Sequence, residues 1–167
     1  MNCCAYHRGK MQEMTITAPL DQDGAKEKLS QWLSAHAPEL GAFKSVKKFS
    51  VGQSNPTYQL DMASGTYVLR MQPLGDLLKS AHAVDREYRV MKALAKSDVP
   101  VPDMVVLCDD VDVLGVKWFV MSRVQGHTYT DPRLSSVSAP TKQAIMENQI
   151  RTLSSLAKTQ PEKLGWR

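Results

Sequence analysis

Residues 80–94 read Ser80-Ala-His-Ala-Val-Asp-Arg-Glu87-Tyr-Arg-Val-Met-Lys-Ala-Leu94, and their spacing decides the fold. Val84, Tyr88, Met91 and Ala95 recur with the period of an amphipathic helix, which is predicted over Ser80–Lys96. At about 100° per residue these four lie within roughly 40° of Val84, and Asp85, Arg86, Arg89, Lys92 and Lys96 fall opposite. Asp85 and Arg89 form an i,i+4 pair. Glu87 breaks the pattern. It lies at about −60°, on the apolar side beside Leu94, and burying a carboxylate unpaired costs far more than burying a neutral polar group. Either the surface beneath this helix offers a cation, or Glu87 snorkels to water at the edge of the face.

Upstream, the period changes. Val46, Phe49 and Val51, then Tyr58, Leu60 and Met62, then Tyr67 and Leu69 read as three strands, the last two joined by Ala63-Ser64-Gly65. Tyr67-Val-Leu-Arg70 ends in a cation. A lone basic residue at a strand end is commonly just solvated, yet Arg70 is the obvious partner for Glu87 and offers a bidentate fork to carboxylate or phosphate. Downstream, Val99-Pro-Val-Pro102 ends the helix. Met104–Cys108 and Trp118–Val124 read as a hairpin with an acidic turn and Gly115 between them, and Gly126 closes it.

Two further helices flank this unit. Ala25, Leu29, Trp32, Leu33 and His36 give one over residues 22–37, with Asp21 or Asp23 as cap and Pro38 just beyond. Met146, Ile150, Leu153, Leu156 and Ala157 give another over 141–158, after a polar connection carrying Pro132 and Pro140. Its stripe needs a partner. Either it folds back onto the sheet, or the body it packs against lies elsewhere. The order helix, three strands, helix, two strands, helix implies an α+β fold with an antiparallel sheet and a packed helix.

Composition narrows the class. The chain has 167 residues, about one domain, and its 43% apolar and 23% charged residues suit an ordered core rather than a disordered chain. A net charge of +4 with acids and bases interspersed does not call for nucleic acid, and no RNA-stacking motif is present. Cys3, Cys4 and Cys108 form no CxxC pair, which points to a reducing, intracellular setting without separating cytoplasm from mitochondrion or peroxisome. No run approaches the ~18 apolar residues that span a membrane. Residues 1–20 read as a flexible leader; the first twelve carry His7, Arg8 and Lys10 and no acid, a weak likeness to a transit peptide. Asp109, Asp110 and Asp112 lack the closing Gly and Glu of a calcium loop and read as a solvated turn.

Between the first two strands runs Phe49-Ser-Val-Gly52-Gln53-Ser54-Asn55-Pro-Thr-Tyr58. Gly52 lets backbone N–H groups approach phosphate oxygens and Ser54 adds a hydroxyl, although an ordinary hairpin turn has the same composition. A Gly-bearing loop, a strand-borne cation and a helix-borne Glu, in that order, are the nucleotide-holding parts of the kinase fold. Phe119-Val-Met121-Ser122-Arg123-Val-Gln-Gly126 stands where a connector would present its backbone to adenine.

These segments resemble the aminoglycoside phosphotransferase and choline-kinase-like family, and within it the kinase-like region of acyl-CoA dehydrogenase family members ten and eleven. The resemblance spans roughly residues 44–160. It implies a protein-kinase-like N-lobe over 44–126 and a connector with the first helix of an incomplete C-lobe over 127–167; the N-terminal helix read from periodicity precedes them, within 21–40. It further implies ATP, with Gly52, Gln53, Ser54 and Asn55 over the phosphates, Arg70 paired with Glu87, and Met121, Ser122 and Arg123 facing the adenine. Magnesium is expected only in a full-length protein. The acceptor would be a small hydroxylated metabolite, a hydroxyacyl compound among the candidates, and a C-lobe or dehydrogenase domain would be the partner. The family's catalytic loop, an HGD-like motif followed by Asn, and its later metal-binding Asp have no match here. His82-Ala-Val-Asp85 falls inside the predicted helix and His127-Thr-Tyr-Thr-Asp131 has the wrong spacing. The expectation is the gripping portion of a phosphotransferase, with no catalytic residue or metal ligand of its own, or else a non-catalytic nucleotide-binding or protein-interaction module.

Overall fold

The computed structural model describes residues 20, 22–49, 55–74 and 83–165. Five strands, β1 (Phe43–Lys48), β2 (Thr57–Met62), β3 (Thr66–Met71), β4 (Met104–Cys108) and β5 (Trp118–Ser122), form one antiparallel sheet in the order β1-β2-β3-β5-β4. The α+β class and the kinase-like N-lobe arrangement expected from the sequence are present. β1 is an edge strand carrying Lys44, Lys47 and Lys48, charges that discourage pairing with another chain.

Alternation along the strands gives the sheet two faces. On one, Tyr58, Leu60, Met62, Leu69, Met71, Trp118 and Val120 are buried beneath α1 (Ala25–His36), which contributes Ala25, Leu29 and Leu33. Each fully buried Leu contributes about 1.5–3 kcal/mol relative to exposure. Trp32 stacks on His36 and meets Trp118 edge-on, with ring centroids 4.7 Å apart. On the other face α2 (Val84–Leu94) sets Val84 and Tyr88 against Phe119, with Met91, Met104, Leu107 and Met121 around them.

Several local expectations are corrected. α1 has Gly24 at its N-cap, in the left-handed conformation that glycine adopts without strain, instead of a capping Asp. After α1, a single 3-10 turn (Pro38–Leu40) leads to Gly41 at φ 71°, where an added Cβ would stand 2.9 Å from that of Ala63. β1 begins at Phe43 and ends before Phe49, and β5 stops at Ser122 with Val124 exposed. α2 starts at Val84, so Asp85 lies in its first turn. At its C-terminal end the Ser97 hydroxyl donates to the Leu94 carbonyl, 2.7 Å, and the prolines follow.

The acidic turn between β4 and β5 contains a helical turn, α3 (Val111–Leu114), that the sequence reading missed. Asp110 caps it by accepting from the Asp112 N–H, Gly115 ends it, and Leu114 buries itself against the α1 side. α4 (Ala139–Lys158) starts two residues early because Pro140 is tolerated in a first turn, with Ser138 as the cap. None of its residues is buried. Met146, Ile150, Leu153 and Leu156 are about half to two-thirds exposed, so this stripe does not fold back onto the sheet. No helix among the described residues is long and apolar enough to cross a membrane.

Candidate functional site

The strand register places Thr57 of β2 beside Arg70 of β3 and Arg70 beside Phe119 of β5; one step along, Gln59 stands beside Val68 and Val68 beside Met121. These rows lie on the α2 face. α2 covers Phe119 and reaches Met121, and among the described residues the β2 and β3 part of that face is left open.

Glu87 projects from α2 to the edge of this open area. Its Oε2 accepts from Arg70 Nε at 2.7 Å, and its Oε1 accepts from Arg70 Nη2 at 3.5 Å and from the Asn55 amide at 3.0 Å. Arg70 Nη1 donates to Thr57 Oγ1 at 3.3 Å, and that hydroxyl donates onward to the Asn55 carbonyl at 3.0 Å. The cation sought for Glu87 is therefore Arg70. The two side chains remain about a third exposed, 31% and 35%. A pair so open to water contributes about 1 kcal/mol or less to stability. Its evident effect is to fix the plane of the guanidinium at the rim of the open face.

Asn55 is buried, 5% exposed, and its amide donates to the Glu87 carboxylate. Sequence reasoning missed both this bond and the role of Thr57. The signal was indirect: Thr57 pairs with Arg70 only once the hairpin register is known. Gly52, Gln53 and Ser54 lie outside the described residues.

A second set of charges holds α2 in place. Lys117, just before β5, reaches Asp85 at 3.3 Å and Asp109 at 3.8 Å, and Arg89 reaches the same two carboxylates at 3.9 and 3.8 Å. Burial works to raise the Asp85 carboxyl, but the hydrogen bond and charge of Lys117, with backbone N–H groups, hold it below the usual carboxylate range. Asp85, expected on the solvated side of the helix, instead fastens it to the β4–β5 hairpin.

The connector is gripped from both flanks. The Ser122 N–H donates to the Asp103 carbonyl at 2.8 Å, and its hydroxyl accepts from the Asp103 N–H at 2.9 Å. Arg123 Nη1 donates to Gln59 Oε1 at 3.1 Å. Met121 is half-buried on the open face beside Val68. The arrangement is a partly apolar floor with a fixed guanidinium at one end and an anchored backbone segment at the other.

Asp85 is engaged as described, and Asp131 accepts from the Ser135 and Arg133 N–H groups, which draw its carboxyl below the usual range. Burial pushes the Cys108 thiol up to about 11, which keeps it protonated at neutral pH. Among the described residues no three His, Cys, Asp or Glu side chains converge on a metal position.

The sequence matches the phosphotransferase enzyme family over residues 45–166. It is 39% identical over 145 residues to acyl-CoA dehydrogenase family member 11 of Gallus gallus, covering 87% of this chain and 18% of that protein. It is 40% identical over 129 residues to acyl-CoA dehydrogenase family member 10 of Mus musculus, covering 77% of this chain and 12% of that one. The chain thus spans less than a fifth of the length of these curated relatives. A crystal structure of a candidate aminoglycoside phosphotransferase from Ralstonia eutropha JMP134 superposes with a TM-score of 0.69 at 35% identity, over 84% of this chain and 40% of that one. On the extent of the family match, this chain belongs to the phosphotransferase enzyme family.

Proposed function

We propose that the open face of the sheet holds ATP, and that this chain is the nucleotide-gripping portion of a small-molecule phosphotransferase that is not catalytic alone. The observation that carries the reading is the Arg70–Glu87 pair with Asn55 behind it. With the Glu87 carboxylate on one edge of the guanidinium and the Thr57 hydroxyl on the other, the cation is oriented before any ligand arrives, which lowers the ordering cost of binding phosphate. Val68 and Met121 offer the apolar floor a base requires, and the segment after Ser122 offers backbone groups to its edge. Gly52, Gln53 and Ser54 belong to the same reading as phosphate donors.

ATP supplies the transferable phosphoryl group; the residues on this face grip it and spread its charge, with the transfer step assigned to the rest of a longer protein. The relatives' names join this segment to acyl-CoA dehydrogenases, which favours a hydroxyl on a hydroxyacyl compound as acceptor. A second reading, a module that binds nucleotide without transfer, is favoured by the engagement of Asp85 and Asp131. Phosphate transfer by a full-length protein carrying this segment separates the two.

The test of the grip is thermal unfolding of the chain with Mg-ATP. At ligand a hundredfold above Kd, stabilisation of about 2.7 kcal/mol should raise the midpoint by roughly 5–10 °C. Arg70→Ala should remove most of that shift. A flat response in the wild-type chain overturns nucleotide binding.

A further inference from the structure

At the end of the open face away from Arg70, four strand-borne side chains form a relay that the nucleotide reading does not use. Asp61 of β2 accepts from Ser45 Oγ of β1 at 2.8 Å, from Thr66 Oγ1 of β3 at 2.9 Å, and from the Gln59 amide at 3.0 and 3.2 Å. Each of these four contacts to the Asp61 carboxylate is a donor. That fixes the amide of Gln59: turned over, its oxygen would face a carboxylate and its NH2 a guanidinium, two repulsions in place of two bonds. The Gln59 oxygen is thereby aimed at Arg123, which crosses β3 to meet it at 3.1 Å.

Three consequences follow from that geometry. The acceptor that Arg123 meets directly is neutral, and the Asp61 carboxylate behind it is near enough for the two charges to attract. The crossing closes the floor of Val68 and Met121 at the end opposite Arg70; the four strand steps from Arg70 to Thr66 put the two ends roughly 13 Å apart. Ser122 is already bound to Asp103 on the β4 side. Arg123 is therefore the last point at which the connector is held on the β2 side before exposed Val124.

We propose that Gln59 and Asp61 are positioning residues for the base-binding end of the site: through Arg123 they hold the connector backbone against the edge of a nucleotide's base. This rests on the reading of the open face as a nucleotide site. The base end then discriminates nucleotides from bare polyphosphate, whereas the Arg70 end does not.

The experiment measures Kd by titration calorimetry for Mg-ATP and for inorganic triphosphate, using the wild-type chain and the Gln59→Met, Asp61→Asn and Arg70→Ala variants, each checked for an unchanged circular dichroism spectrum. Gln59→Met keeps the side-chain length and removes the acceptor. It should weaken ATP about fivefold while leaving triphosphate within about twofold. Asp61→Asn should do the same more weakly, and Arg70→Ala should weaken both ligands together. An equal loss for both ligands in Gln59→Met, or no loss for ATP, overturns the positioning role while nucleotide binding stands. Wild-type binding of triphosphate without ATP removes the base end alone, and binding of neither removes the nucleotide reading and this inference with it. Should Gln59→Met fail to fold, Arg123→Met carries the same ATP-against-triphosphate comparison, with the same outcomes deciding.

Discussion

The two faces of the sheet are made by alternate residues of the same strands, and they differ in kind. Toward α1, Tyr58, Leu60, Leu69, Met71, Trp118 and Val120 are closed from water. Toward α2, Gln59, Asp61, Arg70 and Thr66 are half-buried and bound to one another by hydrogen bonds. Leu69 and Arg70 are neighbours in sequence, yet one belongs to the core and the other to the candidate site. A slip of one residue in β3 would exchange them, so the buried face fixes where the guanidinium emerges. The division teaches that stability and ligand chemistry can be altered separately in this domain.

The sharpest way to break that comparison is to cut into the dry face. Leu69→Ala should cost about 2–5 kcal/mol in chemical denaturation, through lost burial and the cavity left behind. A loss below about 1 kcal/mol would mean the α1 face is looser than its burial indicates.

Next in size is the pair on the open face. Arg70→Glu or Glu87→Arg alone should each lower stability by about 1 kcal/mol, because each sets like charges against one another in a half-solvated place. Together they should recover part of the loss. A double variant no more stable than the sum of the singles would show that the two groups do not interact energetically.

The smallest effect is confined to acid. The Asp85 carboxyl in the folded chain lies below its ordinary 3.8 despite the opposing effect of burial, because Lys117 favours the ionised form. A lowered folded-state value gives stabilisation that is complete above 3.8 and is lost as pH falls through the folded value. Lys117→Met should therefore flatten this part of the acid dependence, measured between about pH 5 and 2. Superimposable acid limbs would show that Lys117 does not hold Asp85.

Much of this architecture was legible because periodicity reports burial. β3 and α2 declared their faces, and Glu87 on the apolar side of its helix led to Arg70. What stayed hidden depends on contacts remote in sequence. Asn55 and Thr57 join Glu87 and Arg70 only through hairpin register, and Gln59 meets Arg123 across 64 residues. α3 was missed because Val-Asp-Val-Leu is too short to show a helical period and looks as much like a strand end. Asp110 was read as solvated turn chemistry when it was a cap. For α4 the helical period marks the stripe, but a stripe says only that a partner is wanted, never which one.

The meeting of Trp32 with Trp118 joins α1 to β5 by two indoles held edge-on within 4.7 Å. Such a pair in a fixed, asymmetric setting gives the chain its own optical signature in the near-ultraviolet. That signal reports side-chain packing and vanishes when packing loosens while secondary structure persists. The domain thus carries an unlabelled gauge of whether its N-terminal helix is seated on the sheet.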